Sequence, residues 1–193
     1  NYGDGFYLIA GEFDQFNGEN HGKLVRLKSN GSVDDTFNIG SSAEGNIHDM
    51  AIDSKGRIIL VGDFSSFNGD LYSNVVRINS DGSTDKTFQM SSGIDGAINA
   101  IEIDLNGDII LGGDFASVRG QEIKGIVKIT DKGNVVSGWS LGGFNDSVRD
   151  IDLHPNGNVL VGGFFTEHNE TEISRVAMVG HNGDLIESFN PNK

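Results

Sequence analysis

Four features of this chain hold residue types that could do chemistry. GWSLG, residues 138–142, has the G-x-S-x-G spacing of a nucleophile elbow around Ser140. That motif needs a strand-to-helix turn with Asp and His partners further on. Here Ser140 follows an aromatic position that recurs as Phe37 and Phe88, and no helical period follows it. GENHGK, residues 18–23, comes near a phosphate-binding loop, but it is one residue short and Leu24 stands where a Ser or Thr hydroxyl would hold magnesium. DLNGD, residues 104–108, could offer Asp104, Asn106 and Asp108 to calcium. Its counterparts DSKGR and HPNGN lack the carboxylates and no distal Glu completes an EF-hand loop, so a hairpin turn is expected. The histidines at 21, 48, 154, 168 and 181 show no ligand spacing. This reading assigns no catalytic residue, no metal site and no cofactor.

Charge narrows the partners. There are 28 acidic residues against 14 Lys plus Arg, a formal charge of -14, which works against binding a nucleic-acid backbone or an anionic membrane. A cation or a basic partner fits better. Without Cys there is no disulfide or thiol chemistry, and the chain is long enough to bury a core without staples. No apolar run approaches the ~20 residues a spanning helix needs, so no membrane insertion is expected. The chain starts at Asn1 rather than Met, and the expectation is that the true start was removed or lies upstream.

The elements that must carry any site come from an internal repeat. Gly11, Gly62, Gly113 and Gly163 are spaced by 51, 51 and 50 residues, and the register holds for Phe13, Phe64, Phe115 and Phe165. It also holds for Gly31, Gly82, Gly133 and Gly183, and for Phe37, Phe88, Trp139 and Phe189. Self-similarity at such a period marks a stacked or radial architecture. In the second copy, IHDMAID (47–53) alternates like a half-buried strand, and RIILVGDF (57–64) is apolar on both sides like a strand covered on both faces. A loop then leads to a strand at NVVRI (74–78), and TDKTF (84–88) reads as a short outer strand. Asn, Asp and Gly supply the turns. Four antiparallel strands in each of four repeats predict an all-β, β-propeller-type array whose Phe64, Phe115 and Phe165 pack between blades. The repeats run 1–45, lacking its first strand, then 46–96, 97–146 and 147–193, as one array.

Two further expectations concern side chains. Glu12, Asp63 and Asp114 follow the repeated Gly, Arg26, Arg77 and Lys128 sit on the next strand, and the fourth copy has Phe164 and Met178 in these places. This joint loss predicts acid–base pairing across neighbouring strands, worth roughly 0.2–1 kcal/mol. The segments ENHGK (19–23), DLYSN (70–74), QEIKG (121–125) and TEISR (171–175) vary between copies, and variable loops on a rigid frame often bind. His21, Tyr72 and Ile123 are therefore the candidate contact residues. Glycosylation-type triplets at Asn30, Asn145 and Asn169 read as turn residues.

GRIILVGDFSSFNG followed by VVRINSDGSTDKTF resembles the delta-60 repeat family, a β-propeller domain of unknown function, and similar strings recur along the chain. The resemblance implies a tandem array in large secreted or surface-exposed bacterial proteins and in some phage structural proteins, and it carries no catalytic residues. The fourth copy, GGFFTEHNE, departs from the pattern by lacking the acid and the NG turn, which opens its loop geometry to question. About fifteen strands are foreseen, so the chain reads as a segment of a larger propeller. The expected role is a non-enzymatic scaffold or recognition module of an extracellular, cell-surface or virion protein that meets a protein partner or neighbouring subunit. The alternative is a carbohydrate- or receptor-binding head of a phage tail or adhesin.

Overall fold

A computed structural model describes residues 5–90, 93–139 and 143–189. All regular structure among them is β, and the strands follow the repeat. The first copy holds β1 (Tyr7–Ala10), β2 (Gln15–Phe16), β3 (Glu19–Asn20) and β4 (Leu24–Leu27). The second holds β5 (Ala43–Ile52), β6 (Ile58–Phe67), β7 (Asp70–Leu71) and β8 (Val75–Ile78). The third holds β9 (Ile98–Ile103), β10 (Ile109–Gly113), β11 (Ser117–Val118), β12 (Gln121–Glu122) and β13 (Ile126–Ile129). The fourth holds β14 (Val148–Leu153), β15 (Val159–Gly163), β16 (Glu167–His168), β17 (Thr171–Glu172) and β18 (Val176–Val179). The chain divides into two compact units, residues 1–92 and 93–193, so each unit contains two copies.

Within each copy the long apolar strand is central and its pairing is antiparallel on both sides where both neighbours exist. The orders are β5-β6-β8, β9-β10-β13 and β14-β15-β18, while the first copy has the pair β1-β4. Ile58, Ile59, Leu60 and Val61 of β6 are all fully buried, as a strand covered on both faces requires. In the first unit Ile58, Leu60, Phe64, Phe67 and Val76 pack with Leu24 and Ile39 of the first copy. In the second unit Ile110 and Ile126 share a core with Val148, Val161, Phe165 and Val179. Phe165 lies against Phe144 with ring centroids 4.2 Å apart.

The repeated glycine has a backbone reason. The inner strand of each complete copy slips by one residue at a β-bulge: between Ile47 and Asp49, opposite Gly113, and between Val148 and Asp150. The bulge pushes a carbonyl over the glycine. A methyl group on Gly62 would lie 2.0 Å from the Asn46 oxygen, on Gly113 2.2 Å from that of Ala97, and on Gly163 2.1 Å from that of Ser147. No side chain fits there.

Two elements differ from expectation. The outer strand at 84–88 shrinks to one bridge, Ile78 with Thr84, and the same happens at Leu27–Val33, Ile129–Val135 and Val179–Leu185. In every copy a backbone turn ends the ladder there, the amide of the repeat aromatic donating to the carbonyl three residues back, Phe37 to Asp34, Phe88 to Asp85, Trp139 to Val136 and Phe189 to Ile186. In the second copy Asp85 Oδ1 reinforces it by accepting the amide and hydroxyl of Thr87. The loop between second and third strands is itself a hairpin. Its tip residues Asn17-Gly18, Asn68-Gly69, Arg119-Gly120 and Asn169-Glu170 all have positive φ, the signature of a type I′ turn. The fourth copy thus keeps the turn geometry without the NG sequence. Glu170, at φ 66°, carries strain that glycine would not, and Glu170→Gly is expected to stabilise the protein by roughly 0.5–1 kcal/mol, read as a higher urea midpoint.

Candidate recognition surface

The hairpins are held rigidly and display what differs between copies. In the first unit Asn68 clamps the second hairpin: its amide donates to the Ser42 carbonyl at 2.8 Å and its Oδ1 accepts the Ser41 amide at 3.2 Å. In the second unit Asp95 accepts the amides of Ala116 and Ser117, and Asn145 accepts those of Thr166 and Glu167, at 2.9–3.0 Å. Asn169 Oδ1 accepts the Gly143 amide at 2.8 Å and Asn30 Oδ1 holds Ser32 in its turn, so of the three triplet asparagines Asn30 serves its own turn while Asn145 and Asn169 tie the hairpin to a distant segment.

The exposed positions on these hairpins are mostly acidic or polar. The first unit presents Glu19, Asp70 and Leu71, the last 82% exposed, and Asp70 pairs with Lys86. The second unit presents Glu122, Glu167, Glu170 and Glu172, with Lys124 Nζ 2.7 Å from Glu122. The variable segments therefore reach solvent, but through other residues than those the sequence singled out. Tyr72 is 6% exposed and Ile123 5% exposed, both turned into the core. They occupy one repeat position, shared with Ile173 and His21, and an apolar side chain there anchors the hairpin. Variation at that position reflects what fits the core and not what meets a partner.

His21 differs because a ring nitrogen replaces the apolar anchor. Its side chain is partly buried, edge-on to Phe16, and its buried Nε2 makes no hydrogen bond and lies 3.8 Å from Glu19 Oε2. It borders a cavity of about 420 Å3 together with Asp14, Asn20, Asn38 and Ser41. Lys23, whose ammonium sits 2.8 Å from Asp14 and 3.0 Å from the Glu12 carbonyl, closes one side of the same hairpin. GENHGK is thus a hairpin with a type I′ tip, a shape that does not converge amides on a phosphate.

The expected acid–base pair across strands is overturned. In the ladder Arg77 stands opposite Ile59 and Asp63 opposite Asn46, with the Asp63 side chain exposed. The β6–β8 ladder runs without a bulge, and Asp63 lies four residues beyond Ile59, the partner of Arg77. Asp114 instead meets Asn99 at 3.2 Å and Arg149 at 3.9 Å, and Arg149 lies over Phe164. The cations pair with the residue eight places on, in the turn that replaced the outer strand. Arg26 Nε donates to Asp34 at 2.8 Å, and Arg77 Nε to Asp85 at 2.8 Å. Each guanidinium lies over the repeat aromatic, Phe37 or Phe88, with its carbon 4.6 Å from the ring centroid. The third copy has Val136 at that place, so Lys128 turns to Asp104 at 2.5 Å and lies over Trp139. The fourth substitutes Met178 and Ile186, with Asn158 donating to the Met178 sulfur at 3.8 Å. The R-x7-D spacing in copies one and two was the available signal.

These clusters set the pH behaviour. Burial works to raise the carboxyls of Asp34 and Asp85, but hydrogen bonds from Thr36 and Arg26, and from Thr87 and Arg77, outweigh it and hold both below the ordinary carboxylate value. Asp104 is held down in the same way against its burial, by Lys128 and by the amides of Asn106 and Asp108. Those contacts occupy both its oxygens, so DLNGD is a hairpin turn. Lowered carboxyls stabilise the fold fully above the unfolded value and lose that contribution as pH falls through the lowered ones. Acid unfolding is therefore expected to set in below about pH 4, followed by circular dichroism. Asp108 runs the other way, raised by burial and by the Asp104 charge, with Lys128 4.0 Å away. Its ionised form costs stability above its folded value, so Asp108→Asn is expected to raise Tm by about 2 °C at pH 7, a gain that vanishes near pH 3.

Ser140 lies outside the described residues, as do 141 and 142. His168 is buried on β16 against Phe144, 4.9 Å between rings, and burial lowers its pKa. No group of three or more His, Cys, Asp or Glu able to hold a metal ion occurs among the described residues.

A family model described as "Domain of unknown function (DUF5122) beta-propeller" matches residues 3–37 and 56–88, both within the first unit. No curated protein matches the chain. Among solved structures, a crystal structure of a protein of unknown function from Bacteroides caccae is similar over 94% of this chain, with a TM-score of 0.52 and 15% identity. This chain spans 56% of that one, little more than half its length. At such identity the likeness speaks for fold alone. Bulged three-strand sheets, their repeat and the family match agree that this is an all-β chain of β-propeller type, similar to a β-propeller family of unknown function.

Proposed function

We propose that the chain is a non-enzymatic β-propeller module that recognises a protein partner through its hairpin tips, within a secreted, surface-exposed or virion protein. The observation that carries this reading is the contrast within each hairpin. The turn recurs in all four copies and a backbone clamp on its tip in the second to fourth, whereas the exposed residue at one hairpin position is Asn20, Leu71, Glu122 and Glu172 in turn. Loops positioned by a rigid scaffold are where proteins place binding. The acidic tips and the charge of -14 favour a basic partner surface, whose approach they would accelerate at low salt. A carbohydrate partner is the weaker reading, because the hairpin aromatics Phe67 and Tyr72 are buried and Phe16 is only partly exposed, leaving no open ring for a sugar to stack on among them.

A photo-reactive side chain in place of Leu71 would test this in the source cells or particles, with one in place of the exposed Leu105 as control. A discrete protein adduct at position 71, weakened by salt and absent at 105, is the expected outcome. Equal labelling at both positions, or none at 71, would defeat the proposal.

A further inference from the structure

Two positions of the repeat lie side by side at its surface: the residue after the bulge glycine and the residue that forms the bulge. The first is Glu12, Asp63, Asp114 and Phe164 in turn, and the second is His48, Asn99 and Arg149 in copies two to four. Openness of the first position belongs to the repeat, since Glu12 and Asp114, each followed by another copy inside its own unit, are both exposed. Three copies place an acid there, as a solvent-facing position allows. The fourth places a phenylalanine that is 56% exposed and sets an arginine beside it. Neither side chain fills the core, which Val148, Ile151 and Phe165 supply.

In the second unit four of these side chains form one patch. The Asn99 amide donates to Asp114 Oδ1 at 3.2 Å and to the Val148 carbonyl at 2.8 Å, which ties the third copy to the inner strand of the fourth. Arg149 lies over Phe164, its guanidinium carbon 5.7 Å from the ring centroid. Its Nη1 is 3.9 Å from Asp114 Oδ2, too far for a hydrogen bond. Among the described residues this guanidinium makes no hydrogen bond, nor does Asp114 Oδ2, and the two side chains are 52% and 41% exposed. Arg26 shows what a guanidinium of this chain takes: it is held between two rings, Phe6 at 4.9 Å and Phe37 at 4.6 Å. Among the described residues Arg149 has one ring, Phe164.

The geometry points to the Arg149–Phe164 patch as the docking site for a tyrosine or tryptophan side chain of a protein partner. The partner's ring stacks on the guanidinium, and its O–H or N–H donates to Asp114 Oδ2. Charge decides between a ring and an anion. A carboxylate or phosphate on Arg149 would meet Asp114 3.9 Å from the guanidinium and a chain of charge -14, whereas a neutral ring with a polar hydrogen complements both groups. Arg, Tyr and Trp are the side chains that concentrate binding energy in protein interfaces, and they pair across them. The site uses none of the hairpin-tip residues.

The test titrates the 193-residue chain with N-acetyl-tryptophanamide under heteronuclear NMR. Saturable shifts are expected at the Arg149 Nε–H and the Asn99 side-chain amide, and none with N-acetyl-leucinamide at the same concentration. Phe164→Asp restores the acid of the other copies, and Arg149→Gln keeps a planar group without its charge. Each should leave Tm unchanged, because both side chains are exposed, yet weaken binding about fivefold. Asp114→Ala should weaken N-acetyl-tryptophanamide and leave N-acetyl-phenylalaninamide unaltered. No shifts, equal shifts with the leucine amide, binding indifferent to Arg149→Gln, or an equal Asp114→Ala loss for both aromatic amides would overturn the assignment. The same shifts produced by methyl glucoside and not by the tryptophan amide would give the patch to a carbohydrate and overturn it too.

Discussion

Gly62→Ala is expected to destabilise the protein by about 3 kcal/mol or more, the upper range for forcing an atom into a packed interior. The methyl would lie 2.0 Å from the Asn46 oxygen and 3.0 Å from the Ile47 Cα, both backbone atoms that cannot swing aside. Relief would require undoing the bulge, and a one-residue change of register moves every side chain of β5 to the opposite face. Ile47 would then leave the core it shares with Phe64 and Val76. Gly69→Ala is the control, because its positive φ costs only about 1 kcal/mol and no atom stands within 4 Å of its methyl. Urea denaturation should rank Gly62→Ala well below Gly69→Ala. A loss under 1 kcal/mol for Gly62→Ala would mean that the bulge can yield and does not account for the repeated glycine.

Arg77→Met is expected to cost about 3 kcal/mol, since removing one member of a buried pair leaves the other short of charge and hydrogen bonds. Of its two cations Asp85 would keep Arg57, at 3.4 Å, and Phe88 would lose the guanidinium above its ring. The fourth copy supplies the repair. Its Met178 and Ile186 stand at the positions of Arg77 and Asp85, with the Ile186 amide donating to the Met178 carbonyl as the Asp85 amide does to Arg77. Arg77→Met with Asp85→Ile should therefore recover most of the loss, with Arg57 retained by Asp53 at 2.6 Å. A double-mutant cycle reads the coupling directly, and additive losses would show that the pair is not the unit of this cluster.

Both predictions rest on features the bare sequence displayed without explaining. The 51-residue spacing, the apolar run at 58–61 and the Asn-Gly turns are local patterns, and local rules of alternation and positive φ were enough to read all-β repeats with buried Phe64, Phe115 and Phe165. The turn chemistry even carried over to Asn169-Glu170, where the same backbone is imposed on a poorer sequence. Pairing between strands was different. The joint loss of acid and base in the fourth copy suggested that Asp63 faces Arg77, but joint loss carries no register, and the folded ladder set Ile59 opposite Arg77, four residues short of Asp63. The outer strand TDKTF was cut to one bridge by a backbone turn, the Phe88 amide donating to the Asp85 carbonyl, and the same turn recurs in the other copies whether the residue there is Asp, Val or Ile.

The candidate contacts show the same division. Residues 70–74 and 121–125 were rightly read as variable, but variation cannot tell a side chain that fills a gap from one that faces water. Tyr72 and Ile123 proved to be anchors, and their exposed neighbours Leu71 and Glu122 were left to present the surface. Composition, period and turns follow from interactions a few residues apart, and the chain announced them. Which carboxylate meets which cation, and which face of a hairpin is free, depend on groups brought together by register and packing, and only the folded sheets could settle them.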